Sequence, residues 1–181
     1  MDIKQTDLYW FQLNEEIRVE DVDKFSGNNM HPDRMMTQWV LVLMISGERS
    51  FRVYGENYVV HSGEFFLLPP YVQHCGLQYD NHTAYFAHFQ ATGIQVPPPV
   101  KVDTNHILLP LHGQIPLELP CFDLMEYAIQ HRTLPFSSKN FLSSQIQAIL
   151  YQFNGMNQLT QAFQSIVFTL NWNQYGIGCS H

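Results

Sequence analysis

Charge is scarce in this chain. Only 14% of its 181 residues are Asp, Glu, Lys or Arg, against about a quarter in an average soluble domain. Positive charge is scarcest: nine Lys and Arg face 16 Asp and Glu, for a formal net charge of −7. From Lys101 to His181 the basic residues are Lys101, Arg132 and Lys139. A surface that grips DNA needs several phosphate-neutralising side chains, so this chain is not expected to hold nucleic acid by itself, nor to be drawn to anionic membrane. Cysteine is equally thin. Cys75, Cys121 and Cys179 are odd in number and form no C-x-x-C pair, which argues against a disulfide framework and against a zinc site. No apolar run approaches the roughly 20 residues of a membrane span. The opening MDIKQTDLYWFQLNEEIRVED lacks the apolar segment of a signal peptide, and a cytoplasmic location is expected. Nucleophile-elbow, phosphate-loop and H-E-x-x-H patterns are missing as well.

Aromatic residues are well represented, at 14%, with 13 Phe and 9 Tyr. A thinly charged, aromatic-rich chain often covers part of its surface with a partner. Residues 26–110 are dense in strand signals. The run TQWVLVLMIS (37–46) ends at Gly47, Arg49–Val53 follows, and a turn at Gly55-Glu56-Asn57 leads into Tyr58–His61. Ser62-Gly63 then turns into Glu64–Leu68, which stops at Pro69-Pro70; Cys75–Tyr79 precedes a turn at Asp80-Asn81-His82, and Ala84–Gln90 closes the block. Short strands separated by Gly, Asn, Asp and Pro indicate a sandwich or barrel. Pro97-Pro98-Pro99 reads as a rigid spacer. Beyond it the period changes. Phe122, Met125 and Ile129 form a helical stripe after Pro120; Phe141, Leu142, Ile146, Ile149, Leu150 and Phe153 form a second, capped by Ser137 or Ser138 and ended by Gly155; Leu159, Phe163, Ile166, Val167 and Leu170 form a third candidate. Such stripes pack on the barrel or pair with a second copy; periodicity alone leaves both open. The division expected is a barrel with an N-terminal arm over 1–110 and a helical region with a tail over 111–181.

The stretch Gly63-Glu-Phe-Phe-Leu-Leu-Pro69-Pro-Tyr71-Val-Gln-His74 resembles the second cupin motif, with Gly63, Pro69 and His74 in register and Tyr71 where the motif has a second glycine. More widely, WVLVLMISGERSFRVYGENYVVHSGEFFLLPPYVQHC and the later Tyr85-Phe86-Ala87-His88-Phe89 resemble the ligand-binding half of AraC-family transcription regulators. The resemblance covers about residues 30–155. It implies a mainly β fold, a cupin-like double-stranded β-helix (jelly-roll barrel) followed by two or three C-terminal α-helices. It also implies an effector-sensing and dimerisation domain without catalysis. The family's helix-turn-helix units are not in this sequence, and the tail FTLNWNQYGIGCSH does not resemble their beginning. DNA would therefore be reached only through a domain outside this chain.

Metal-binding cupins take two His and one Glu from their first motif. Counting back seven residues from Gly47 places that Glu at Val40, and the His-x-His falls on Arg34-Met35-Met36 or Asp33-Arg34-Met35. Only His74 is a clear ligand, with Asp33 or His31 contributing if the loop register differs. One imidazole does not fix a divalent ion, so no metal and no cofactor are expected. A small metal-dependent cupin enzyme, an isomerase or dioxygenase, is the alternative. A closed, filled barrel is the third reading.

The cupin Glu position points into the lumen, so the resemblance puts Val40 there, and alternation adds Gln38, Val42 and Met44. Ala84, Phe86 and His88 form a second lining, Arg34 lies near the mouth, and Tyr71 stands beside His74. The ligand-binding set expected is Arg34, Gln38, Val40, Val42, Met44, Tyr71, His74, Phe86 and His88, around a small metabolite that is sugar-like or a small acid. His88 also reads as a satisfied core histidine. In the family an N-terminal arm folds over the ligand, which gives Trp10 a lid role; a first strand on the barrel edge is the competing reading. A homodimer through the C-terminal helices would use Phe141, Ile146, Ile149, Leu150 and Phe153.

Overall fold

The computed structural model of the chain describes residues 8–12, 17–95, 106–115, 121–132, 142–150 and 153. Its strands are β1 (Leu8–Gln12), β2 (Arg18–Asn29), β3 (Arg34–Met35), β4 (Trp39–Val53), β5 (Glu56–His61), β6 (Glu64–Leu68), β7 (Gln73–Gly76), β8 (Asp80–Gln90), β9 (Gly93–Gln95), β10 (His106–Pro110) and β11 (His112–Gln114). Helix α1 (Cys121–Gln130) follows, and residues 142–150 form α2. The fold is mainly β with helices following the strands, as expected. No described helix is long and apolar enough to cross a membrane.

The two strands expected at 37–46 and 49–53 are one. β4 runs through Gly47, and what marks that point is a bulge, not a turn. Met44 pairs with Ala84 of β8 while Ser46 pairs with Thr83, so Ile45 is the extra residue. Before the bulge β4 lies between β6 and β8; after it β4 pairs with β5 and β7. Gly47 sits at φ 77° and passes so close to β8 that a Cβ there would run into the Asn81 carbonyl oxygen. The bulge also inverts the inside–outside alternation, since one added residue moves later side chains to the opposite face. The expected turn at Asp80–His82 is likewise absent: those residues begin β8 and pair with β2.

β2 has little apolar periodicity, RVEDVDKFSGNN, yet it pairs with β8 along nearly its whole length. β11 pairs with β6, so the sheet continues past residue 110, where the sequence suggested a boundary. Glu64 holds that edge, accepting from His61 N (2.7 Å) and Gln114 Nε2 (2.7 Å), with His112 Nε2 at 2.8 Å.

One core runs through barrel and helices. Leu41, Leu43, Phe66, Leu67, Ala87 and Phe89 of the strands are buried with Met125 of α1 and Ile146, Ile149 and Leu150 of α2. Each fully buried large apolar side chain contributes roughly 1.5–3 kcal/mol. This corrects the dimer assignment. Ile146, Ile149, Leu150 and Phe153 are at most 1% exposed within a single chain, and the Phe153 ring stacks on Phe65 at 4.3 Å. They cover the sheet and leave no apolar surface of their own for a second copy. Phe141, the third helical candidate at 159–170 and Pro97-Pro98-Pro99 lie outside the described residues.

The arm is a strand. β1 lies between β9 and β10, with Trp10 paired to Ile94 and Leu108. Tyr9 and Phe11 are buried against the Trp39 ring, at 5.1 and 4.8 Å between centroids. Trp10, the expected lid residue, thus belongs to the middle strand of a three-stranded sheet.

Candidate ligand-binding site

A cavity of about 360 Å³ opens within the β2–β4–β8 sheet, inside the usual range of small-molecule sites. β8 lines it with four alternate residues, His82, Ala84, Phe86 and His88. β2 supplies Asp21, Phe25 and Asn29; β4 supplies Val42 before its bulge and Arg49 and Phe51 after it. The segment before β3 adds His31 and Pro32, and β3 adds Arg34.

Arg49 is the organising side chain. It is only 8% exposed. Its Nη1 donates to His82 Nε2, and its Nη2 donates to His31 Nδ1 at 3.2 Å. These bonds fix the tautomers. His82 Nδ1 lies 3.0 Å from the Asp80 carbonyl oxygen, which only accepts, so that nitrogen carries the hydrogen. In His31 the accepting nitrogen is Nδ1, so the hydrogen sits on Nε2. Behind the lining, His74 Nδ1 donates to the Val72 carbonyl at 2.9 Å, and its ring stacks on His31 at 5.1 Å. Gly76 makes room for that arrangement: it donates to the His31 carbonyl at 3.0 Å, and a Cβ there would come within 2.5 Å of His31 N.

All four imidazoles are held neutral. Burial, aided by the guanidiniums of Arg49 and Arg34, pushes His31 down to about 2. Burial likewise lowers His74, His82 and His88. Arg49 is lowered to about 10, first by burial, and remains charged at neutral pH. Asp80 stabilises it from a distance, but that carboxylate already accepts from Ser50 N, Ser50 Oγ and Gln78 Nε2. Among the described residues no carboxylate forms an ion pair with Arg34 or Arg49. Asp21, the one acid on the lining, is 58% exposed and stands 3.9 Å from His88 Nδ1.

Six buried side-chain atoms among the described residues have no hydrogen-bond partner in the protein: Asn29 Oδ1, His31 Nε2, Arg34 Nε, Arg49 Nε, His74 Nε2 and His88 Nε2. All but His74 belong to residues lining this cavity. A buried polar group without a partner costs about 1–3 kcal/mol, and native proteins keep few of them. Five of the six thus belong to residues around one lumen.

Four members of the expected set line the cavity: Arg34, Val42, Phe86 and His88. Val40 and Met44 are buried and do not line it. Gln38 is a surface residue donating to Glu20 at 2.6 Å, and Tyr71 is 70% exposed; neither lines the lumen. His74 is one layer behind, against His31. Arg49, His82, Phe25, Phe51 and Asn29 were not singled out in the sequence, and His31 only as an auxiliary metal ligand. Among the described residues no group of three or more His, Cys, Asp or Glu is placed to hold a metal. The chemistry also opposes one here, because His31 Nδ1 and His82 Nε2 already accept from a guanidinium.

Residues 22–92 match the family model described as the AraC-like ligand binding domain. The matched segment contains every residue of the cavity lining except Asp21. No curated protein sequence matches the chain. Similar solved structures include ToxT from Vibrio cholerae bound to an unsaturated fatty acid, 9% identical with a TM-score of 0.40, covering 78% of this chain and 57% of ToxT. An RmlC-like cupin from Shewanella frigidimarina is 20% identical, with a TM-score of 0.32, covering 48% of this chain and 79% of that one. The DMSP lyase DddQ from Ruegeria pomeroyi is 13% identical, with a TM-score of 0.34, covering 52% and 54%. This chain thus spans little more than half the length of ToxT and of DddQ.

Proposed function

We propose that this AraC-like domain is a non-catalytic sensor: it holds a small metabolite, sugar-like or a small acid, in the lumen and reports occupancy to the regulator of which it is the effector-binding part. The observation that carries the reading is the coincidence of cavity lining and unpartnered buried polar atoms. Apolar walls from Phe25, Val42, Phe51 and Phe86 surround a few convergent polar groups, the usual makeup of an organic-ligand pocket.

β2 offers the route by which occupancy would travel. It lines the lumen with Asp21, Phe25 and Asn29. Along the same strand Val19 N donates to Ser143 Oγ of α2 at 3.2 Å, and Asp23 pairs with Arg132 at 2.6 Å, just past α1. Lys24 meets Glu126 of α1 at 3.6 Å. A ligand that shifts β2 shifts what the helices present, provided it binds the two arrangements unequally. Homodimerisation through the C-terminal helices belongs to the same reading, with contacts other than the four buried side chains named above. DNA is reached only through a helix-turn-helix domain outside this chain.

A metal-dependent isomerase or dioxygenase is the competing reading. Elemental analysis of purified protein separates the two: the sensor is expected without stoichiometric Fe, Mn, Ni or Zn. One equivalent of metal lost on His74→Ala would overturn it.

A further inference from the structure

The geometry points to an oxyanion-bearing guest, a small organic acid whose carboxylate or phosphate head lies between Arg34 and Arg49 and whose apolar body rests on Phe25, Phe51 and Phe86. This rests on the sensor reading and narrows it to one ligand chemistry.

Apart from Asp21, whose side chain is largely exposed, the charged groups on the lining are the cations Arg34 and Arg49. Arg34 and Arg49 line one cavity, and Arg34 lies close enough to disfavour the charge on Arg49. Neither has a carboxylate partner within 4 Å among the described residues. Two guanidiniums at the wall of a partly desolvated cavity are an unfavourable arrangement unless negative charge joins them. The four imidazoles add no positive charge, because burial keeps them neutral. They act instead as struts. His31 and His82 accept from the two terminal nitrogens of Arg49, which fixes the guanidinium plane and leaves its third N–H, on Nε, buried and unpartnered.

The unpartnered donors match an oxyanion. Arg49 Nε–H, Arg34 Nε–H and, by the tautomer its Nδ1 contact requires, His31 Nε2–H are all buried without acceptors on residues of this lining. Arg49 and His31 are each 92% buried, being 8% exposed. A carboxylate or phosphate is an acceptor with several lone pairs, and charge-assisted bonds to it are the strong ones. A neutral polyol would satisfy the same donors but leave the repulsion between the guanidiniums in place. The cavity, about 360 Å³, is at the small end of ligand sites, which suits a compact acid over a long chain.

The test is thermal unfolding and titration calorimetry of the full chain with matched probes: phenylacetate against its neutral isostere phenylacetamide, phenyl phosphate and inorganic phosphate for the alternative head group, and arabinose and glucose for the polyol class. Phenylacetate or phenyl phosphate is expected to raise the unfolding temperature by mass action, the amide and sugars not. Which acid is tighter tells carboxylate from phosphate, and inorganic phosphate alone tells whether the apolar body matters. Arg34→Gln is expected to weaken acid binding at least about tenfold, the loss of one charge-assisted contact. Should that variant fail to fold, the acid–amide difference in the unaltered protein still decides. Equal shifts from acid and amide, or a shift from sugars alone, overturn the oxyanion inference and leave the organic-guest reading standing. No shift from any probe overturns both.

Discussion

His31 Nδ1 lies 3.2 Å from Arg49 Nη2, and this contact sets the character of the lumen. It requires a neutral imidazole as acceptor, holds a charged guanidinium in a fixed plane, and turns His31 Nε2–H toward a space where the protein offers it no partner.

That neutrality makes stability depend on pH. His31 is held at about 2 when folded, while a histidine in an unfolded chain titrates near 6.5. Between these values the unfolded chain binds more protons, so acid favours unfolding. The contribution is complete above about pH 6.5 and is lost progressively as pH falls. His74, His82 and His88, also lowered, act in the same direction. Urea unfolding between pH 7.5 and 5 is expected to show falling stability, with His31 alone approaching about 1.4 kcal/mol per pH unit at the acid end. His31→Gln should flatten the slope. A pH-independent stability would contradict the neutral cluster.

Gly76→Ala reaches the site from behind its lining. The new Cβ meets His31 N at 2.5 Å, and relieving such backbone overpacking costs about 1–3 kcal/mol. The chain around His31 must move, so probe binding is expected to weaken along with stability in calorimetry. Unchanged binding would mean that His31 has no part in the site.

Tyr71 stands at φ 60°, in the left-handed region where a non-glycine residue carries about 1–2 kcal/mol of strain. The second cupin motif, which this stretch resembles, has at this position a glycine, the residue that adopts such a φ freely. Tyr71 N donates to the Met36 carbonyl at 2.7 Å, which holds the turn. Tyr71→Gly is expected to raise stability by up to about 1 kcal/mol, part of the relief being offset by the added freedom of the unfolded chain. Probe binding should stay as it was, since the side chain points to solvent. A clear loss of stability would show that the exposed ring makes a contact of its own.

Much of the barrel was legible in the sequence. Glu64–Leu68 forms a strand with the expected limits, because glycine and proline bracket a continuous apolar run. Phe86 and His88 line the lumen because β8 alternates without interruption. β2 was not legible: Glu20, Lys24, Ser26 and Asn28 all face outward along it, and its polar side chains hide the alternation. Arg49 was missed for a sharper reason. Even-numbered residues of β4 point inward up to Met44, and Ile45 then bulges, so odd-numbered Arg49 and Phe51 take over the lining. A bulge of one residue leaves no mark in a hydrophobicity pattern, although glycine at 47 followed by a lone arginine is a hint. Gln38 and Tyr71 failed for the complementary reason: both lie at strand or loop ends, where alternation no longer dictates direction.

Phe153 and Ile149 separate core from interface. Phe153→Ala is expected to cost about 3–5 kcal/mol as a core truncation. Ile149→Asp should unfold the chain rather than release folded monomers, since its side chain is fully buried in one protomer. Circular dichroism and sizing together check this; a folded, monomeric Ile149→Asp protein would return the stripe to a subunit interface.

The most direct measurement of the central claim is an amide and side-chain NMR map of the protein titrated with phenylacetate. Perturbations are expected on both arginines of the lumen, with Phe25, Phe86 and His88 following, and little change at Tyr79 or Val59 on the exterior. A saturating response confined to exterior residues, or none at any concentration, would contradict a lumen built to enclose an organic guest.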